Sequence, residues 1–247
     1  MPAAATQHAP AFRPLYLQLR DLLLRDMETR QWRPGEALPS EIELAARFGV
    51  SQGTVRKAID ALAADNLVVR RQGKGTFVAT HTEEKTSMFR FLRIRRSDGR
   101  DEYPASRLLD VRRGKASAEV ARLLELKPSE AVFVVRRVLE YGGEPVVLDD
   151  ITLPATLFKG LTRARLEAYR GSMYGFFETQ FGVRMLRAQE RLKALAADSA
   201  TAAILKVRTG EPLLAVERLT RTYGERPVEW RRGLCSTRRH YYLNDLG

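Results

Sequence analysis

Residues 51–57 of this chain, SQGTVRK, carry side chains that hydrogen-bond well to nucleic acid. Apolar residues recur from Val55 to Leu62 at i, i+3, i+4 and i+7, the spacing of one buried helix face. This stripe leaves the polar N-terminal end of the helix exposed, and recognition helices contact DNA base edges with that end. The candidate DNA contacts on this helix are Ser51, Gln52, Gly53, Thr54, Arg56 and Lys57.

Each side chain suits a different part of a DNA duplex. Gln52 can pair with an adenine edge through two hydrogen bonds. Arg56 can take a guanine edge or a phosphate, and Ser51 and Thr54 can bind phosphates beside the helix N-terminus. Gly53 has no side chain, so the backbone can approach DNA closely there. The alternative interpretation of the basic residues is an ordinary solvated surface.

A basic hairpin follows this helix. Residues 67–71 predict a strand, residues 72–75 a turn and residues 76–78 the returning strand. Its candidate contacts to the DNA backbone or minor groove are Arg70, Arg71, Gln72, Gly73 and Lys74. The segment GKGT is not a phosphate loop, because it lacks the required glycine spacing and leads into no helix.

Two earlier helices must hold the recognition helix. The first is predicted to start after Pro14 and to end near Trp32, just before an Arg-Pro-Gly break. The second starts at Ser40, which forms a capping box with Glu43. Three helices followed by a hairpin predict a winged helix-turn-helix domain, mostly α with a β-wing, over residues 11–79.

The overall composition does not show where the DNA-binding site lies. The formal charge of +12 favours a polyanionic partner, but residues 1–80 contribute only +3 of it. The single cysteine, Cys235, can form neither an internal disulfide nor a four-cysteine metal site. No apolar run reaches the 18 residues of a membrane helix, and the N-terminus lacks the pattern of a secretion signal. We therefore expect a cytoplasmic protein.

The first 80 residues resemble the GntR family of bacterial transcriptional regulators. The segments that carry the resemblance are Pro14-Leu15-Tyr16, Pro34-Gly35, Leu38-Pro39-Ser40-Glu41, Gly49-Val50-Ser51, Thr54-Val55-Arg56 and Gly73-Lys74-Gly75-Thr76-Phe77-Val78. It covers residues 14–78. Ile42 and Gln52 stand where the family often has arginine, and both positions touch DNA in relatives. The resemblance therefore implies a DNA-binding domain whose preferred sequence differs from the usual family half-site.

A second domain is expected over residues 88–247, after a polar linker at residues 80–87. Strands are predicted at residues 90–96, 106–111, 131–141, 145–153, 183–195, 213–223 and 227–242. Helices are predicted at residues 117–126, 173–181 and 198–205. Gly142-Gly143 is a strong hairpin signal. Hairpins interspersed with helices indicate an α+β domain on an antiparallel sheet.

This order of elements resembles the UTRA effector domain of the HutC branch of the GntR family. The segments that carry the resemblance are Ser106-Arg107-Leu108-Leu109, Arg137 before the Gly-Gly-Glu-Pro turn, Gly171-Ser172-Met173-Tyr174, Phe181-Gly182-Val183 and Pro227-Val228-Glu229. It spans about residues 88–245. It implies a chorismate-lyase-like fold that binds a small metabolite and thereby changes the affinity for DNA.

In relatives that bind sugar phosphates, an Arg-x-Arg pair, the serine of Gly-Ser-x-Tyr and a late glutamate line the pocket. The corresponding candidate effector-binding residues are Arg137, Ser172 and Glu229, with Arg107 as a possible second cation or a plain surface arginine. Leu139 replaces the second arginine of the pair, and Cys235 replaces an aromatic residue. Losing one cation weakens the case for a phosphate, so a carboxylate ligand fits at least as well.

No catalytic or metal-binding pattern emerges. The three histidines, His8, His81 and His240, are scattered, and the first two fall in segments expected to be flexible. Asp149 and Asp150 are neighbours on a strand and point to opposite faces. We therefore predict a non-enzymatic, homodimeric regulator, a repressor, without cofactor or metal, that binds palindromic DNA and a carboxylate or sugar phosphate. The alternatives are a lyase-like enzyme fused to a DNA-binding domain and a ligand-independent DNA-binding protein.

Overall fold

The computed structural model describes residues 13–82 and 91–244. The chain divides into two compact units, Met1–Thr80 and His81–Gly247, and each is described by itself. The first unit contains helices α1 (Leu15–Glu28), α2 (Glu41–Phe48) and α3 (Gln52–Ala64) and strands β1 (Val68–Arg71) and β2 (Gly75–Val78).

The three helices of the first unit pack through apolar stripes. α1 buries Leu19, Leu23 and Met27, and α3 buries the predicted stripe from Val55 to Leu62. The prediction that α1 continues to Trp32 is wrong. The helix ends at Glu28, because Arg30 adopts a left-handed conformation (φ 62°) that cannot continue an α-helix.

Capping fixes the helix-turn-helix. The predicted capping box of α2 is confirmed: the Ser40 hydroxyl accepts from the Glu43 amide, and the Glu43 carboxylate accepts from the Ser40 amide. Gly49 ends α2 with φ 63°, a conformation that costs glycine little. Ser51 then caps α3, as predicted. The turn between the helices is therefore only three residues long, which fixes the direction in which α3 starts.

The predicted hairpin is present as an antiparallel pair. Val68 pairs with Val78 and Arg71 pairs with Gly75. Between the strands, the Lys74 amide donates to the Arg71 carbonyl at 2.9 Å. Gly73 and Gly75 have φ of 70° and 105°, so this turn requires glycine. The buried side chains of Val68 and Val78 attach the wing to the core of the first unit.

The second unit is an α+β domain on an antiparallel sheet, as predicted. Its strands are β3 (Ile94–Arg96), β4 (Ala105–Lys115), β5 (Ala131–Tyr141), β6 (Glu144–Pro154), β7 (Arg187–Ala196), β8 (Pro212–Arg221), β9 (Pro227–Ser236) and β10 (His240–Tyr242). Its helices are α4 (Ala118–Leu123), α5 (Arg163–Ala168), α6 (Met173–Phe181) and α7 (Ser199–Leu205). Six strands form one sheet in the order β4-β5-β6-β9-β8-β7, with every neighbouring pair antiparallel.

Both faces of this sheet are covered over part of their area. On one face, Val135 and Ile151 belong to a cluster with Phe176 and Phe177 of α6. On the other face, Val138 packs with residues of α7, and Val132 packs with residues of α4. Two-sided burial explains the apolar runs of β5 and β6, because a strand covered on both faces loses the simple alternation of apolar and polar residues.

Some details of the second unit differ from the prediction, among them the three that follow. The single strand expected over residues 227–242 is two strands. β9 ends at Ser236, and β10 pairs with β3 instead of with the large sheet. β7 starts at Arg187, four residues later than expected. The short helix α5 was not predicted at all. It is an exposed helix with no fully buried residue, so it shows no apolar stripe.

His81, which the sequence placed in a flexible linker, is buried in the second unit. Its backbone amide donates to Glu178 Oε2 at 2.7 Å, and its Nε2 accepts from the Met185 amide at 3.3 Å. The assignment of His81 to a flexible segment was therefore wrong. Residues 83–87 of the predicted linker lie outside the described part of the chain, as does His8.

Across residues 13–82 and 91–244, no helix combines the length and the apolar character that a bilayer crossing requires.

Candidate DNA interface and ligand cavity

The N-terminal end of α3 presents its polar residues away from the core. Gln52, Gly53, Arg56 and Lys57 are exposed, and Thr54 is half-buried. The Ser51 hydroxyl accepts from the Thr54 amide at 3.2 Å, which keeps the first turn of the helix ordered. The structure thus brings together all the predicted α3 residues on one accessible surface.

Glu41, at the start of α2, ties this surface to the wing. Its Oε2 accepts from Arg56 at 3.0 Å (Nε) and 2.9 Å (Nη2), and from Gln52 at 3.4 Å. Its Oε1 lies 3.4 Å from Arg70 Nη2, and the other end of the Arg70 guanidinium pairs with Asp60 at 2.7 Å. The hydrogen bonds that Arg56 donates to Glu41 raise the pKa of Arg56.

Sequence reasoning missed Glu41 as part of this surface. The only signal was an acid in the first turn of α2, a position usually explained by the helix dipole. Its contacts mean that Gln52, Arg56 and Arg70 point in a common direction before any DNA arrives. A DNA base or phosphate would have to replace Glu41 as the acceptor for Arg56. Glu41 therefore both orients the Arg56 side chain and competes with DNA for it.

The tip of the wing carries the remaining predicted contacts. The Arg71 guanidinium lies 4.6 Å from the ring centroid of Phe77, which holds its stem against the hairpin. Gln72, Gly73 and Lys74 are exposed at the turn. Within the described residues, neither Lys57 nor Lys74 forms an ion pair. These two lysines can therefore neutralise phosphates without giving up a protein partner.

The second unit encloses a cavity of about 690 Å³ on the α6 face of the large sheet. Strand register places its floor residues side by side. Arg137 of β5 pairs with Asp149 of β6, and Asp149 pairs with Gly233 of β9. Two residues further along each strand, Leu139, Val147 and Cys235 form the next row. The cavity floor is therefore one charged row beside one apolar row.

A buried ion-pair network fixes the charged row. Arg137 Nε donates to Asp149 Oδ2 at 3.0 Å, and Arg231 Nη1 reaches the same oxygen at 3.4 Å. Arg231 also pairs with Glu229 at 3.2 Å. Burial lowers the pKa of Arg137, and the neighbouring Arg231 charge adds to that effect. Burial likewise opposes the charge of Arg231, but Glu229 and other neighbours outweigh it and raise its pKa.

The predicted effector residues occupy different positions relative to the cavity. Arg137, Ser172 and Arg107 line it, and Ser172 also caps α6 by accepting from the Gly175 amide at 3.0 Å. Arg107 pairs with Glu140 at 2.7 Å and is half-exposed. Glu229 is fully buried and is not among the residues that line the cavity.

Glu229 therefore acts on the cavity through its neighbours. Tyr174 donates its hydroxyl proton to Glu229 Oε1 at 3.0 Å, and Thr220 donates to the same oxygen at 3.3 Å. Tyr174 and Arg231 both line the cavity. The Glu229 carboxylate thus holds an aromatic and a cationic wall residue in place.

Sequence reasoning missed three charged residues of the cavity wall: Asp149, Arg218 and Arg231. Arg218 Nε donates to Glu190 at 2.6 Å, and its guanidinium reaches the Phe91 carbonyl. The predicted divergence of the neighbouring aspartates is confirmed, because Asp150 pairs with Arg136 on the opposite face at 2.7 Å. The alternation of side chains along β6 predicts that Asp149 and Asp150 point to opposite faces of the sheet. The contact of Asp149 with Arg137 depends on the register of β6 with its neighbouring strands, which the sequence does not reveal.

The remaining reactive side chains are inert in character. Burial raises the pKa of Cys235 to about 12, so its thiol stays protonated at neutral pH. Burial lowers the pKa of His240, whose ring lies 4.9 Å from that of Tyr141. Within residues 13–82 and 91–244, no three His, Cys, Asp or Glu residues group in a way that could hold a metal ion.

Each of the two units matches a known protein family. Residues 15–78 match the gntR family of bacterial regulatory proteins, and residues 99–241 match the UTRA domain. The HTH-type transcriptional repressor NagR of Bacillus subtilis is 29% identical over 84% of each chain. The histidine utilization repressor of Pseudomonas putida is 28% identical over 92% of this chain and 90% of its own.

One solved structure is similar to the second unit in particular. It is the ligand-binding domain of a protein assigned to the GntR family of transcriptional regulators in Bordetella bronchiseptica. It is 46% identical, with a TM-score of 0.61, and the match covers 64% of this chain and 98% of that chain.

The buried network predicts a large stability effect at Glu229. Glu229→Gln removes a buried charge that Arg231 faces, so the unfolding free energy of the second unit should fall by about 3 kcal/mol. Urea unfolding followed by circular dichroism measures it. The matched control is Glu217→Gln, which removes the exposed pair with Lys193 and should cost less than about 1 kcal/mol. Equal effects of the two substitutions would contradict the assigned network.

The raised pKa of Cys235 predicts a slow thiol. The thiolate is the reactive form, so at pH 8 a thiol with a pKa of about 12 stays protonated and reacts poorly with iodoacetamide. The folded chain should therefore remain unmodified under conditions that label the urea-unfolded chain completely. Mass spectrometry of the intact protein gives the readout. Labelling at the same rate in both states would show that the thiol is neither buried nor protonated.

Proposed function

This chain belongs to the GntR-family regulators that carry a UTRA domain, the HutC subfamily, and from that premise we propose that it is a homodimeric transcriptional repressor. Its first unit binds DNA, and its second unit binds a small metabolite that sets the affinity for DNA. The relatives named above are both called repressors, which supports repression over activation.

The observation that carries the DNA-binding role is the accessible α3 surface. Five donor-bearing residues of α3 and the wing, Gln52, Arg56, Lys57, Arg70 and Lys74, are exposed on the two elements that a winged helix-turn-helix presents to DNA. Glu41 aligns three of them, so little ordering is needed on binding. The side chains on α3 suit base edges, and those on the wing suit the flanking backbone.

Dimerisation follows from the size of the reading surface. One winged unit has only a few side chains that can reach base edges, and two symmetric copies double them. The preferred DNA would then be a palindrome with half-sites about one helical turn apart. The second unit, which is the larger, is proposed to supply the contact between copies.

The effector would bind in the cavity of the second unit, with its anionic group beside Arg137. Arg137 and two further buried arginines line the cavity and suit an anion such as a carboxylate, and the Ser172 end of α6 adds amide donors and a helix dipole. A sugar phosphate is the second candidate class. Ligand would shift the equilibrium between two arrangements of the dimer in proportion to its preference for one of them.

A lyase-like enzyme is the alternative function for the second unit, and the cavity does not favour it. The buried carboxylates Asp149 and Glu229 are both held in ion pairs with arginines, and Glu229 does not line the cavity. We therefore propose a binding role without catalysis for the cavity.

The DNA-binding role predicts a loss of affinity for Arg56→Ala. A preferred sequence is first selected from random DNA by the wild-type protein, and affinities are then measured by gel shift at fixed salt. Loss of a base contact should weaken binding by roughly 1–3 kcal/mol, about 5- to 150-fold. The control is Arg25→Ala, which removes an exposed arginine of α1 outside this surface. Equal affinity of Arg56→Ala and wild type would refute the assigned surface.

The effector role predicts that Arg137→Ala uncouples ligand from DNA. The selected DNA is incubated with pools of carboxylates and of sugar phosphates, and one pool should release it from the wild-type protein. Arg137→Ala should bind the same DNA as wild type but ignore that pool, because the buried cation is gone. Arg113→Ala, on an exposed part of β4, serves as control and should respond normally. A normal response from Arg137→Ala would place the effector elsewhere.

A further inference from the structure

We propose that the effector is an α-amino or α-hydroxy carboxylate with an apolar side chain, and that its α-substituent donates a hydrogen bond to Asp149. This inference rests on the proposed function, because it names the ligand class of the same cavity. Four observations on the cavity floor lead to it.

The first observation is an open acceptor on a buried residue. Asp149 is only 2% exposed, and both of its arginine partners, Arg137 and Arg231, contact the same oxygen, Oδ2. Among the described residues, none donates a hydrogen bond to the other oxygen, Oδ1. Asp149 lines the cavity. A ligand N–H or O–H that reaches Oδ1 from the cavity gains a charge-assisted hydrogen bond.

The second observation is the space kept above that oxygen. A Cβ at Gly233 would lie 2.9 Å from Asp149 Oδ1 and 3.4 Å from Val147 Cγ1. Gly233 lies in the middle of β9 without a positive φ, so its backbone does not require glycine. A strand interior normally disfavours glycine. We therefore attribute the glycine at position 233 to lack of room for a side chain, because any larger residue would press against Asp149 Oδ1, the oxygen that a ligand must reach.

The third observation is the anion position next to this acceptor. Arg137 has one weak partner besides Asp149, the Ser106 hydroxyl at 3.4 Å from Nη1. Burial lowers the pKa of Arg137 more than the contact with Asp149 raises it. Arg137 and Asp149 are themselves in contact. A ligand whose anion and donor are a bond or two apart, as in an α-substituted carboxylate, can therefore engage both.

The fourth observation is the apolar row beside the charged one. Leu139, Val147 and Cys235 lie abreast on the cavity floor and offer no donor to a phosphate or a sugar hydroxyl. This apolar row suits the side chain of an amino acid or hydroxy acid.

Two matched series of small acids test the proposal by isothermal titration calorimetry. The first series is L-phenylalanine, L-3-phenyllactate and 3-phenylpropionate; the second is L-leucine, L-2-hydroxy-4-methylpentanoate and 4-methylpentanoate. In at least one series, an acid with an α-donor should bind about tenfold or more tightly than its donor-free analogue. The better of the amino and hydroxy acids identifies the class. Equal affinity with and without the α-donor overturns the proposal, as does binding of glucosamine 6-phosphate in place of all six acids.

Gly233→Ala tests the geometry without changing any charge. The added methyl group should lower the affinity for the α-substituted acid at least about tenfold while leaving the donor-free acid within about twofold. Gly114→Ala is the matched control, because Gly114 lies in β4 with nothing within 4 Å of its added Cβ. Equal thermal stability of the two variants without ligand excludes misfolding. A Gly233→Ala variant that binds the α-substituted acid like wild type overturns the assigned subsite.

Gel shifts with the selected DNA separate this proposal from the proposed function. Acid binding with no DNA binding would reject the repressor role and leave the ligand class intact. DNA binding with release by glucosamine 6-phosphate alone would keep the repressor and reject the α-substituted acid. Failure of all six acids to bind at millimolar concentration also rejects the ligand class.

Discussion

The register of the six-stranded antiparallel sheet is the constraint on which the second unit depends. Side chains alternate between faces along a strand, so a slip of one residue would move every cavity residue to the opposite face. In the observed register, Arg137, Asp149 and Gly233 meet on one row. The same register puts Arg136 and Asp150 together on the other face. The observed alignment therefore gives charged residues on both faces their partners, which favours that alignment.

In the first unit, the helical spacing of apolar residues plays the part that strand register plays in the second. The apolar stripe of α3 determines which side of the helix faces the core. The polar residues at the N-terminal end of α3 therefore face outward. Glu41 adds a second layer of order, because it collects Gln52, Arg56 and Arg70 from two elements around one carboxylate. A surface that must meet DNA is thereby prepared by contacts within the protein.

Local signals predicted much of this fold, and long-range pairing explains the rest. Capped helices such as α6 and strands such as β5 have the boundaries that their own residues dictate, Ser172 and Gly182 in the first case. The end of α1 was missed, since a left-handed Arg30 has no clear sequence signature. The cavity was predicted only at Arg137, Arg107 and Ser172. Asp149 and Gly233 gain their meaning from strands more than 80 residues apart, and no local pattern reveals that pairing.

The buried position of His81 links the cavity to the start of the second unit. α6 carries Ser172 and Tyr174 on the cavity wall, and the same helix holds His81 through Glu178. The His81 ring also packs edge-on against Tyr174, with the ring centroids 5.6 Å apart. A ligand that draws Ser172 or Tyr174 towards itself must therefore also change the surroundings of His81, because packed interiors transmit displacement rather than absorb it.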